Sequence, residues 1–227
     1  MHPSGARAGR QCRGTCVSAS ADGVVVSVLT SVVSVTGANH TSFANLVISD
    51  AQGTTAALSG TNLHVTNCTV SNSGRGCLGL SGANSSVANC TVFGCGGSGV
   101  SLVGGDRHTL EPANLSVTGS AISNYSRVRR TYEPGIGFSG VGIYVAHNDV
   151  SHAPHTAING AGNDNLFEYN TIKHSCYETI DTGAFYVGRS WSQRGNVVRC
   201  RLPGILAHII VIDFLSRLPT TVIGHTL

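Results

Sequence analysis

Apolar residues recur along this chain in pairs five positions apart, often with a small or polar-capable residue three positions after the first. The sets are Phe43-Leu46-Ile48, Val65-Cys68-Val70, Val87-Cys90-Val92, Val117-Ser120-Ile122, Val145-Asn148-Val150, Phe167-Asn170-Ile172 and Val197-Cys200-Leu202. Their first positions are separated by 22, 22, 30, 28, 22 and 30 residues. Ala56 and Leu58, Leu78 and Leu80, and Val100 and Leu102 repeat the 22-residue step in the second half of each unit. Alternation over a few residues, bounded by Gly, Asn and Ser, predicts strands, and no segment sustains a helical period. A short fixed unit with occasional insertions predicts a solenoid.

Stacked coils bring equivalent residues to the spacing of neighbouring strands, about 4.8 Å. The predicted fold class is therefore all-β, a single-stranded right-handed parallel β-helix of about seven coils of 22–30 residues. Val65, Cys68, Val70, Val87, Cys90, Val92, Val145, Val150, Phe167 and Ile172 should share one core. Cys68 and Cys90 are expected as inert buried thiols, and Asn148 and Asn170 as corner residues hydrogen-bonding along the stack. The β-helix is expected over 23–203, with Gly23 to Val35 as its first coil and an irregular segment at 1–22. Residues 204–227 lack the Gly/Asn turns and are expected to form a non-repeat tail adding no coil in register.

Composition sharpens this picture. Of 227 residues only 11% are charged, 29 are glycine and 6 are proline, which suits tight turns between short strands. A net charge of +3, one lysine and no basic run beyond Arg129-Arg130 argue against nucleic acid as a partner. Gly204 to Leu215 is too short to cross a bilayer, so no membrane association is expected. No signal peptide is visible, which leaves the compartment open. Eight cysteines without a recurrent C-x-x-C spacing predict no zinc site, and no metal or cofactor is expected. Asn39, Asn67, Asn84, Asn89, Asn114 and Asn124 begin Asn-x-Ser/Thr sequons, of which Asn67 and Asn89 are expected to be inaccessible to glycan.

Candidate chemistry gathers late in the chain. Only Asp22 and Asp50 precede residue 100, and nine acidic residues follow it. The stretch His174 to Asn196 combines Glu178, Asp181, Arg189, Arg194, Tyr177, Tyr186 and the sole tryptophan, Trp191. Asp181 precedes a strand and can face an outer groove. Glycoside hydrolysis uses two carboxylates, so Asp181 and Glu178 are the catalytic candidates. Tyr186 and Trp191 offer faces for a sugar ring, and Arg189 and Arg194 can bind hydroxyls or carboxylates. His155 and Asp164 complete the expected groove lining. The competing reading makes the same charges an exposed structural ion-pair network. Each loop histidine reads first as a turn residue, as does the cluster 162–165, and Asp106-Arg107 reads as a local ion pair. His152-x-x-His155 has no acidic ligand at a dependable spacing, which makes it a weak metal signal.

The motifs Gly104-Gly105-Asp106-Arg107, Tyr132-Glu133-Pro134-Gly135-Ile136, Ala153-Pro154-His155, Gly162-Asn163-Asp164, Tyr177-Glu178-Thr179, Asp181-Thr182-Gly183-Ala184, Gly188-Arg189-Ser190-Trp191 and Arg194-Gly195-Asn196 carry a resemblance. Over roughly residues 30 to 200, the chain resembles right-handed β-helix proteins of the pectin-lyase-like superfamily. More narrowly, it is similar to those akin to glycoside hydrolase family 141. That resemblance implies a carbohydrate-active protein taking a polysaccharide or oligosaccharide, with Asp181 matching one catalytic acid. The family's second acid lies in a later Tyr-Leu-Asp-Asp-like stretch that this sequence lacks, since Asp213 is the only acid beyond Arg199. The expectation is thus a fragment of a longer enzyme, weakly active or inactive, monomeric, with a secreted or cell-surface full-length relative. A polysaccharide lyase or epimerase and a non-catalytic glycan-binding or adhesion solenoid are the alternatives. The single lysine disfavours the former.

Overall fold

The computed structural model describes residues 26–179, 182–188, 190–201, 209–212 and 221–222. All its strand pairings are parallel, and each coil runs over three faces before stacking on the next. Face B opens each coil. It begins with the first parts of Val33–Ala44 and Ala56–Thr66, then stacks Leu78–Ala83, Val100–Gly104, Ile136–Val141, Ile158–Asn163, Phe185–Gly188 and Ile209–Ile212. Face C takes the second parts of the two long strands, then Ser86–Ala88, Ser116–Thr118, Tyr144–Ala146, the start of Leu166–Ser175, Val197–Arg201 and Thr221–Val222. Face A closes the coil with Val47–Ala51, Thr69–Ser73, Thr91–Cys95, Ala121–Ser123, Asp149–Ala153 and the end of Leu166–Ser175. This is the right-handed parallel β-helix the repeat predicts, and all ten expected core residues are buried in one cluster.

The corners explain why the chain turns where it does. Each corner carries a file of residues in the left-handed region, one per coil. Between B and C the file is His40, Asn62, Asn84, Asn114, Gly142, Asp164 and Gly195. Between C and A it is Asn45, Asn67, Asn89, Gly119, His147 and Tyr169; between A and B it is Asp50, Asn72, Gly94, Asn124, His152 and His174. Asn, Asp and Gly enter this region at low cost, which is why they punctuate the repeat. The histidines at 147 and 152 are thus turn residues, as is the cluster at 162–165. Tyr169, bulky for such a backbone, stacks its ring on His147 one coil below, with centroids 5.0 Å apart.

After each C–A corner residue from Asn67 onward the next side chain points inward, whereas Leu46, after Asn45, is exposed. Cys68 and Cys90 fill this position as buried free thiols, and burial pushes the Cys90 thiol pKa up, away from the reactive thiolate. Further along, Ser120 N–H donates to Asn148 Oδ1 (2.9 Å), and Asn148 Nδ2 donates to Val117 O and Asn170 Oδ1 (both 2.9 Å). A parallel ladder runs through the B–C corner, where Asn165 Nδ2 donates to Asn196 Oδ1 at 3.0 Å. Asn148→Ala strands a buried N–H and a buried carbonyl, so a loss of ~2 to 3 kcal/mol is expected from the urea midpoint. An unchanged midpoint would show that the ladder is ornamental.

Three expectations need correction. Val198, not Val197, continues the inward file of Phe167, because the pairing puts Leu166 opposite Val197. A one-residue shift in register moves every side chain to the other face, and a bulge between Glu168 and Thr171 absorbs it. Asn67 and Asn89 are exposed, as are the other sequon asparagines, and at all of them but Asn39 a left-handed corner holds the side chain outside. Finally, Ile209–Ile212 pairs with Phe185–Gly188 and Thr221–Val222 with Val197–Val198, so these strands within 204–227 do extend the ladder. β-branched runs satisfy an open strand edge even without the upstream turn residues. Residues 1–22 lie outside the described residues, as do 23–25 of the expected first coil.

Candidate functional site

Face B is the floor of a cleft. Its outward residues on three successive coils are Ser101, Gly137 and Asn159, paired in register and too small to fill the space above them. The insertion that follows Ala121–Ser123 at the A–B corner rises beside this floor. Tyr132, Glu133 and Pro134 line the cleft together with Ser98, Val103 and Ser139, enclosing about 340 Å³. The close fit depends on two glycines. A Cβ on Gly137 would stand 3.3 Å from Pro134 Cγ, and one on Gly97 3.0 Å from Glu133 Oε2.

The wall is held from several sides. Ser126, Val128 and Arg129 donate backbone N–H groups to carbonyls of Gly96 and Gly97. Glu133 accepts from Ser98 N–H at 3.0 Å and pairs with Arg129 at 3.1 Å. His155 is 3% exposed and its ring lies 4.8 Å from that of Tyr132, so it backs the wall from inside rather than meeting solvent. Below the wall Tyr125 is fully buried, and burial holds its phenol far above the usual range, with Cys176 and Tyr177 adding smaller upward contributions.

The opposite corner of face B, toward face C, carries a second group of side chains, outside the lining of that cleft. Arg107 does not pair with Asp106, whose carboxylate accepts the N–H of His108. Its guanidinium instead straps two loops together, donating to Asn163 Oδ1 (2.9 Å), Ser190 Oγ (3.2 Å) and Ser192 Oγ (3.0 Å). Between those serines stands Trp191, 82% exposed. Asp164 is an exposed turn residue whose N–H donates to the carbonyl of Arg194, and its carboxylate occupies the space that a Cβ on Gly195 would need. The Arg194 side chain is exposed.

The remaining sequence candidates fall elsewhere. Asp181 and Arg189 lie outside the described residues. Tyr186 pairs with Asn159 on the outward file, but its ring is only 6% exposed and offers no open face to a sugar. Glu178 makes a bidentate pair with Arg130, raising that guanidinium's pKa, and lies outside the cleft lining. Glu178 therefore clips two A–B insertions together, the structural role weighed against catalysis. Among the described residues the cleft lining contains one carboxylate, Glu133, and no cluster of three His, Cys, Asp or Glu side chains.

A family model for a right handed beta helix region matches residues 12–172. The chain belongs to the right-handed β-helix family. No curated protein and no solved structure matches it. Within this β-helix family member the motifs singled out from the sequence lie mostly at the two corners flanking face B. Sequence reading missed Arg107 as a strap and Glu133 as a wall residue. The available signal was position, since both sit in insertions at the two corners that flank face B.

Proposed function

We propose that this β-helix protein is carbohydrate-active and takes an extended polysaccharide or oligosaccharide over face B, in the manner of a glycoside hydrolase-like solenoid. The observation that carries the reading is a cleft on face B with a floor of small residues and the exposed ring of Tyr132 in its lining, while Trp191 stands exposed at the opposite corner of the same face. A sugar presents an apolar ring face and a rim of hydroxyls, which such a surface complements through stacking and through Ser101, Ser139 and Asn159. Hydrolysis would need Asp181 as the reacting carboxylate, since Glu178 is committed to Arg130 and Glu133 to Ser98 and Arg129. The commitment of Glu178 and Glu133 to these partners favours the glycan-binding alternative. The disulfide Cys77–Cys95 favours an oxidising compartment, in keeping with a secreted or cell-surface setting.

The test is affinity electrophoresis of the whole chain on plant and algal glycans. Tyr132→Ala and Trp191→Ala should each weaken binding by roughly five- to thirtyfold, the loss of one aromatic anchor. Retention of every glycan by both variants would remove the cleft from the account. Hydrolysis is read separately by reducing-end release, and equal release by the unmodified chain and Asp181→Asn would exclude Asp181 as the reacting group.

A further inference from the structure

The ridge formed by the A–B insertion has a second side. Away from the cleft it borders a concavity of about 300 Å³ lined by Asn72, Phe93, Gly94, Asn124, Tyr125, Arg127, Arg130, His152 and Tyr177. Its chemistry differs from that of the cleft. Phe93 and Tyr177 present partly exposed rings, 37% and 59%. Arg130 is saturated by Glu178, whereas Arg127 has no carboxylate partner among the described residues and donates only to Gly94 O at 3.5 Å. The left-handed residues of three coils, Asn72, Asn124 and His152, bring their polar side chains to the same spot. His152 is held by ring contact with His174, at 5.0 Å between centroids. Asp50, at the same corner, accepts from Asn72 Nδ2 at 3.2 Å.

We propose that this flank is a second carbohydrate site, selective for a sugar ring bearing a carboxylate or sulfate. The anion takes the free fork of Arg127, the ring lies against Phe93 and Tyr177, and the amides of Asn72 and Asn124 meet hydroxyls. An uncommitted guanidinium beside aromatic faces is suited to an oxyanion that offers two oxygens to its fork and is carried on a ring with an apolar face. The proposal rests on the carbohydrate reading above but uses no residue of the cleft floor, so each can fail alone.

The experiment is calorimetric titration of the whole chain with three probes: a galacturonic acid trimer, a galactose 6-sulfate trimer and neutral galactotriose. The acidic trimers should bind more tightly than the neutral one, and whichever of the two binds better identifies the anion. Arg127→Gln should weaken binding of the acidic trimers roughly ten- to hundredfold, the worth of a hydrogen bond to a charged group. Galactotriose binding should not change. Arg127→Lys, which keeps the charge but loses the fork, should fall between. Equal affinity for all three probes, or acidic binding untouched by Arg127→Gln, overturns the flank site and leaves the cleft standing. Loss of all binding in Trp191→Ala, acidic trimers included, would place every sugar in the cleft and overturn the flank site as well.

Discussion

Phe167→Ala should destabilise the protein by ~3 to 5 kcal/mol, measured from the urea midpoint. Phe167 is fully buried and packs on Phe138 and Phe185, with centroids 4.7 Å and 5.0 Å away. Val145 and Val198 lie above and below it in the ladder. Alanine would remove the ring's transfer energy, leave a cavity that backbone hydrogen bonds on both sides keep from collapsing, and forfeit one tilted and one edge-to-face aromatic contact. Repeat proteins are stabilised by nearest-neighbour interfaces, so protection from hydrogen exchange should fall first in the coils around 138–198. A loss under ~1 kcal/mol would mean that the coils close over the gap. The same aromatic group depends on Gly160, where a Cβ would approach the Phe138 ring to 2.7 Å.

The solenoid was legible because burial imposes a two-residue alternation and stacking imposes the 22-residue step. Val65 and Val87, and Val145 and Phe167, satisfy both, Val117 resumes the alternation after an insertion, and every one is buried. Register at the last coil was less legible. Val197 and Val198 are equally apolar, and only the pairing across the bulge decides which faces inward. The strand Ile209–Ile212 was misread for a related reason. Its apolar run has no turn residues to mark its period, so membership of the ladder follows from its pairing with Phe185–Gly188.

The site was legible in location and less so in residue roles. Insertions interrupt the 22-residue step, and loops are where a rigid solenoid carries its chemistry. Whether a charge in such a loop is free or spent depends on contacts between coils far apart in sequence. Arg130 reaches Glu178 across 48 positions, and Arg107 reaches Ser192 across 85. Neighbour-based reading assigned Arg107 to Asp106 and left Glu178 available, and both assignments fail for lack of that long-range information. Tyr186 shows the same limit for burial. Alternation fixes which side of the sheet a residue faces, but what later folds over that side is not encoded locally.

The disulfide should prove to be the other large contribution. Cys77 and Cys95 are both fully buried, 18 residues apart, with Cα atoms separated by 5.5 Å. Closing a loop of that length stabilises by ~3 kcal/mol through the entropy it removes from the unfolded chain. Its position gives it a second consequence. The bridge pins the turn that follows Thr91–Cys95, and the cleft wall is built on that turn: Arg127 N–H donates to Cys95 O, Val128 and Arg129 to Gly96 O, and Ser98 donates to Glu133. The double variant Cys77→Ala/Cys95→Ala should therefore lower stability by ~3 kcal/mol and, well below its unfolding transition, become susceptible to proteolysis near Arg127, Arg129 and Arg130. Trypsin cleavage followed by mass spectrometry reads this local loosening apart from global unfolding. An unchanged urea midpoint with no new cleavage would show that backbone hydrogen bonds alone hold the wall in place.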